Sequence, residues 1–172
     1  HVRSRRQRQM CIRDRPYLPA VARLDRCWTE CHLAADATAV DRHWLAQQTP
    51  DTLPHASLQP HPAARWAWCE DFPAYALWHH HREGLALPEA VDWHGDGALL
   101  TRPHADVIWR PLSRAGVALL DACAQGLPLE TAATRALVAE PATDFAALMT
   151  SLLDAGALAT INPHTTCLLY TS

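Results

Sequence analysis

An α+β fold is what this sequence predicts: a helical segment, then a compact unit made of a β-hairpin and three helices. Three observations carry that expectation. Two short runs, 98–101 and 107–110, place β-branched or aromatic residues on alternate positions, and Arg102-Pro103-His104-Ala105-Asp106 between them supplies the breakers of a hairpin turn. Behind the hairpin lie three stretches that are apolar at helical spacing and closed by Gly or Pro. Ahead of it, residues 18–35 carry one continuous apolar stripe.

The hairpin is followed by Ser113, an N-cap for a helix whose stripe is Val117, Leu119, Leu120 and Ala124 and which stops at Gly126-Leu127-Pro128. A second helix is predicted over 129–139, ending before Pro141. A third is predicted over 144–155, with Thr143 as N-cap and Gly156 as its C-terminal stop. Strand, strand, helix, helix, helix is the order of a winged helix-turn-helix. Such a unit can place its third helix in a DNA groove, or accept an extended peptide as an extra strand at its sheet edge, with that helix as a wall.

In the first half, Leu18, Val21, Leu24, Trp28, Cys31 and Ala35 share one helix face, whereas Arg23, Asp25, Arg26 and Glu30 fall mainly elsewhere. This amphipathic helix needs a partner, and Pro19 is tolerable in its first turn, where an N–H has no intrahelical acceptor. Residues 41–48 make one or two turns with Trp44 and Leu45 inward. Pro50, Pro54, Pro60 and Pro62 then break the chain, leaving extended segments at 56–59 and 64–69; in the second, Ala64, Trp66 and Trp68 share a face. A helix over 73–82 buries Leu77 and Trp78. The stretch 85–97, with Pro88, Gly95 and Gly97, is a linker, and the domain boundary is placed there.

Composition narrows the function. At 172 residues and 49% apolar content the chain can bury a core. It has no signal-peptide pattern and no apolar window long enough to cross a bilayer, so a soluble cytoplasmic protein without membrane partners is expected. All 15 basic residues are Arg, and six of them (Arg3, Arg5, Arg6, Arg8, Arg13, Arg15) lie in the first fifteen positions. The remainder holds nine Arg against 17 acidic residues, a net charge of −8, which is the wrong sign for a surface that displaces counterions from phosphates. DNA is therefore disfavoured as a partner. MCIRDR near the start and CLLYTS near the end resemble translated sequencing-adapter remnants, and both ends are set aside from the functional argument.

Motifs of chemistry are sparse. G-x-S-x-G, a Walker A loop and G-x-G-x-x-G are all absent, and nothing pairs two carboxylates as acid and base, so no catalytic residue is assigned. His79-His80-His81, with His94 and His104 nearby, is the strongest apparent metal signal. Consecutive helical residues point about 100° apart, however, so the three cannot share one ion. A solvated polar face is the simpler reading, and no metal is assigned. Cys27, Cys31 and His32 offer a soft-ligand pair at i, i+4, but Cys31 lies on the apolar stripe, which favours burial. Cys27, Cys31, Cys69 and Cys123 contain no C-x-x-C pair.

One resemblance adds to this reading. LSRAGVALLDACAQGLPLETAATRALVAE (112–140), continued by DFAALMTSLLDAGAL (144–158), resembles the PqqD-type recognition element that holds leader peptides of ribosomally made, modified peptides. With PYLPAVARLDRCWTECHLAAD (16–36), LQPHPAARWAW (58–68) and FPAYALW (72–78), residues 16–161 resemble the later part of the HvfC/BufC-type family, long catalogued as DNA-binding. The resemblance implies a non-catalytic partner for a multinuclear non-heme iron oxidase that modifies peptides. Any iron would belong to that oxidase, and no cofactor to this chain. The family carries a helical bundle before the PYLP segment, so the resemblance also implies that this chain is a fragment. The expected division is a non-native segment at 1–15, a bundle remnant with an irregular region at 16–95, the winged-helix unit at 96–162, and a non-native or disordered tail at 163–172. The leader would pair with the strand Val107, Ile108, Trp109 and Arg110, and Phe145, Leu148 and Leu152 of the third helix would wall its groove.

Overall fold

The computed structural model describes residues 15–86 and 91–160, so the segments 1–14 and 163–172 expected to be non-native or disordered, and part of the linker, lie outside the described residues. A mixed α+β architecture results. Its elements are α1 (Leu18–Leu33), α2 (Arg42–Ala46), β1 (Leu58–Pro60), β2 (Arg65–Cys69), α3 (Ala74–Arg82), β3 (Asp96–Thr101), β4 (Ile108–Pro111), α4 (Arg114–Ala124), α5 (Leu129–Ala139), α6 (Phe145–Asp154) and β5 (Leu158–Thr160).

Two small antiparallel sheets organise these pieces. One has three strands in the order β2-β3-β4, and the other pairs β1 with β5. Both sheets join a strand that precedes residue 95 to one that follows it: Trp66 lies opposite Leu99, and Gln59 opposite Ala159. Both sheets thus span the 95/96 position at which the boundary was placed, although no strand crosses it. The β1–β5 ladder was not foreseen. Its strands are three residues each, too short to show a period of two.

The three-stranded sheet has a core on each face, because successive side chains of a strand point to opposite sides. On one face Leu99 and Leu112 join Leu119, Leu120, Cys123, Met149, Leu152, Leu153 and Leu158 beneath α4, α5 and α6. On the other, Ala98, Leu100 and Val107 meet Leu24, Cys27 and Cys31 of α1 and Trp78 of α3. The apolar stripe of the first helix is thus packed on the sheet.

Local chemistry fixes the ends. Ser113 Oγ accepts from Gly116 N at 3.2 Å and starts α4, as its sequence position predicts. The third of the predicted helices is capped by Asp144, whose carboxylate accepts from Ala147 N at 3.0 Å; this replaces Thr143 as the expected cap. α5 follows Pro128 with no side-chain cap, and its first N–H groups are satisfied instead by the proline-broken loop, Leu129 N to Ala56 O and Glu130 N to Pro54 O, both at 2.9 Å. At the C-terminal end of α1, Arg102 from the hairpin turn donates to Cys31 O at 3.1 Å and to the carboxylate of Asp36 at 2.7 Å. The turn between β3 and β4 is thereby anchored to the first helix. His61, one of the few buried polar residues, accepts from Ala63 N at Nδ1 and bonds Ala37 O at 2.9 Å through Nε2.

Candidate functional site

β4 has one hydrogen-bonded neighbour, β3, and forms one of the two outer strands of its sheet, β2 being the other. Its register shows which backbone groups are left over. Leu112 N donates to Gly97 O, so Gly97 and Leu112 are a hydrogen-bonded pair, and the antiparallel alternation makes Leu99–Arg110 and Thr101–Ile108 the next ones. Trp109 falls between them. Its N–H and C=O therefore point away from β3, and no other strand among the described residues pairs with that border. Pro111 has no N–H to offer, which limits the ladder an added strand could form.

The side chains of β4 divide by the same alternation. Ile108 and Arg110 share the face covered by α4 and α6; both are partly buried, and the Arg110 guanidinium donates to Ser151 O of α6 at 3.2 Å. Among the described residues no carboxylate oxygen comes within 4.0 Å of that guanidinium. Trp109 takes the other face, as does Val107, which was expected to open the strand but lies just before it. Val107 is 8% exposed and belongs to the core against α1, so only its backbone can serve the border.

Trp109 is held in an aromatic group that the sequence did not announce. Its indole donates to His79 Nδ1 at 3.0 Å and packs edge-on to Trp78 at 5.4 Å between centroids. Arg82 lies over Trp28 at 4.0 Å and within 5.6 Å of the Trp109 ring, and is steadied by Asp25 at 3.5 Å. His79 in turn stacks on Tyr75. The histidine run thus divides by environment: His79 bonds Trp109, His80 bonds Ala76 O at 2.8 Å, and His81 faces solvent. Among the described residues no group of three or more His, Cys, Asp or Glu side chains is arranged to hold a metal ion.

On α6 the three predicted wall residues separate. Phe145 and Leu148 are partly buried against the core and remain accessible, whereas Leu152 is 1% exposed and is a core residue. An added Cβ at Gly116 would collide with Leu112 Cδ1 and would meet Leu148 Cδ1 only at ordinary contact distance, 3.4 Å, so the glycine makes room chiefly for Leu112. Tyr75, His79 and Ser151 complete the surroundings of the border. Sequence reading singled out His79 only within the histidine run and placed none of the three at this border, because each matters through a contact distant in the chain.

Burial and charge set the remaining chemistry. The Tyr75 hydroxyl is pushed up from its ordinary value by burial and then by Asp96. Burial likewise raises Asp96, offset in part by the N–H groups of Tyr75 and Ala76, which its two oxygens accept at 2.8 and 2.9 Å at the start of α3. Beside this carboxylate a largely apolar cavity of about 260 Å³ opens between α1, β2 and α3, lined by Pro19, Leu24, Ala67, Ala74 and Tyr75. It lies off the β4 border.

Comparison with known proteins adds nothing to this geometry: no family model, no curated protein and no solved structure matches the chain. No described helix is long and apolar enough to cross a membrane.

Proposed function

We propose that this protein is a non-catalytic adaptor that binds the leader of a ribosomally made precursor peptide by strand addition at β4 and presents the peptide to an iron-dependent multinuclear non-heme oxidase. In this reading β3, β4, α4, α5 and α6 act as a winged-helix recognition unit. One observation carries it: on the outer border of β4, next to the Arg110–Ser151 contact with α6, the N–H and C=O of Trp109 are paired by no described strand. Main-chain pairing there would supply affinity, and the flanking side chains register. The resemblance of 112–158 to leader-holding elements, read from sequence, supports the same site.

A DNA-binding role fits the surface less well. Arg26, Arg42, Arg65, Arg82, Arg102 and Arg114 are each spent on a carboxylate within the protein, which leaves few cations for phosphates.

The test is a titration of ¹⁵N-labelled protein with the full leader of a short cysteine-bearing precursor encoded beside the gene. The expected result is a shift and slowed exchange of the Trp109 amide, nearly independent of salt. A duplex DNA that binds with affinity falling steeply with salt, while the leader leaves the Trp109 amide unmoved, would overturn the proposal.

A further inference from the structure

The geometry points to an acidic side chain in the bound peptide, held by Arg110 on the α6 face of the added strand. This inference rests on the strand-addition reading and sharpens it to a class of ligand. A strand added along β4 continues the pleat, so its side chains alternate between the α6 face and the face covered by α1 and α3. The two faces offer different chemistry. On the α1/α3 face the nearest surface is aromatic: the Trp109 indole tied to His79, and His79 stacked on Tyr75. On the α6 face stands Arg110.

Three features single out Arg110 among the arginines. It belongs to the outer strand itself, with its side chain on the face a ligand would share with α6. One hydrogen bond, to the Ser151 carbonyl, fixes its guanidinium, and the contact lies in an exposed setting. Its other donors meet no carboxylate among the described residues. Asp154, the acidic neighbour on α6, is already engaged by Arg42. An aimed guanidinium with spare donors on a fixed backbone suits a carboxylate, which can take two parallel N–H bonds. Because the rest of the body is acidic, an acidic ligand residue is attracted at Arg110 and repelled over much of the remaining surface, which favours one register.

The preferred peptide therefore has an extended segment with Glu or Asp on the α6 face and an aromatic or aliphatic residue at the adjacent positions. Three capped probe peptides test this: acetyl-Thr-Val-Glu-Tyr-Thr-Val-amide and its counterparts with Gln or Lys in place of Glu. Each is titrated into the ¹⁵N-labelled chain, with the Trp109 amide as the reporter of border occupancy. The Glu peptide is expected to bind about tenfold more tightly than the Lys peptide, since an attraction is exchanged for a repulsion at a partly exposed charge. Arg110→Gln should flatten this preference and Arg110→Glu should reverse it. If Arg110→Glu fails to fold, the Gln variant and the three peptides on the unmodified protein still decide the matter. Equal affinities for the three peptides, with the Trp109 amide shifting in each case, would overturn the acidic preference and leave strand addition standing. No shift of Trp109 with any of these probes or with the full leader would overturn both.

Discussion

Leu148 and Leu152 lie one helical turn apart on α6, yet the structure gives them different tasks. Leu152 is enclosed by the core of α4, α5 and β5, and its truncation to Ala should cost about 2–5 kcal/mol, transfer and cavity together. Leu148 is only partly buried, so Leu148→Ala should cost less than about 1.5 kcal/mol while weakening peptide binding at the border. Urea unfolding of the two variants, beside a leader titration of Leu148→Ala, checks the division; equal stability losses would show that both are core. The thiols separate in the same way. Cys27, Cys31 and Cys123 are buried, and burial raises each thiol, Cys31 to about 12 and Cys123 to about 11, whereas Cys69 is partly exposed at the end of β2. A thiol-specific reagent, read by peptide mass spectrometry, should therefore modify Cys69 well before the other three in the folded protein. Faster labelling of Cys31 would mean that α1 detaches from the sheet.

At the scale of elements, two glycines respond to substitution for opposite physical reasons. Gly97 sits in β3, where Ala would ordinarily gain about 0.5–1 kcal/mol over Gly. A Cβ there collides with the Leu112 carbonyl oxygen and comes to 2.8 Å from the Trp68 ring, and overpacking of that kind costs about 1–3 kcal/mol, so Gly97→Ala should be destabilising and should loosen the β3–β4 ladder. Gly126, which ends α4 with φ +71°, has nothing within 4 Å of an added Cβ. Only its backbone resists, and Gly126→Ala should lose about 1 kcal/mol with the ladder intact. Thermal unfolding with hydrogen exchange at Arg110 and Leu112 distinguishes the two. Elements of this kind were largely legible beforehand. Of the predicted stripe, Leu24 and Cys31 are buried with Val21 and Trp28 packed against them, whereas Ala35 lies past the helix end and is exposed; the hairpin turn was marked by Pro103, and Ser113 caps where its position says it should. Strand β5 was not legible, because Leu158-Ala159-Thr160 acquires its conformation from pairing with β1, and pairing across a hundred residues leaves no local period. The candidate site was legible as a strand but not as a surrounding: Val107 to Arg110 could be read as an edge, whereas the bond from Trp109 to His79 joins two elements whose adjacency only the tertiary fold creates.

The whole molecule should lose stability toward alkaline pH, and the sign follows from groups that folding keeps protonated. Cys31 and Cys123 have an ordinary value of 9.0, and burial lifts them to about 12 and about 11 in the native state. Burial is also the main cause of the rise at Tyr75. A raised native pKa means that the unfolded chain releases its proton first, so the contribution is complete below about pH 9 and is lost as pH climbs toward the native values. On the acid side the order is reversed. Glu30, lowered chiefly by its hydrogen bond from Arg65, and Asp154, lowered by Arg42, favour folding above the ordinary carboxylate range and lose that contribution as pH falls through their native values. Glu30 is partly buried and Asp154 exposed, and both pairs lie at the surface, so solvent screening makes the acid limb shallow and salt-sensitive. The alkaline limb should be the steeper and should persist in salt, because desolvation rather than an ion pair produces it. Urea midpoints of the native chain between pH 7 and 10.5, beside those of a Cys31→Ala, Cys123→Ala double variant, isolate the thiol part. The variant should begin less stable, since two buried side chains are truncated, but its midpoint should fall less between pH 9 and 10.5. A parallel fall in both proteins would assign the alkaline loss to other groups and would remove the buried thiols from the account.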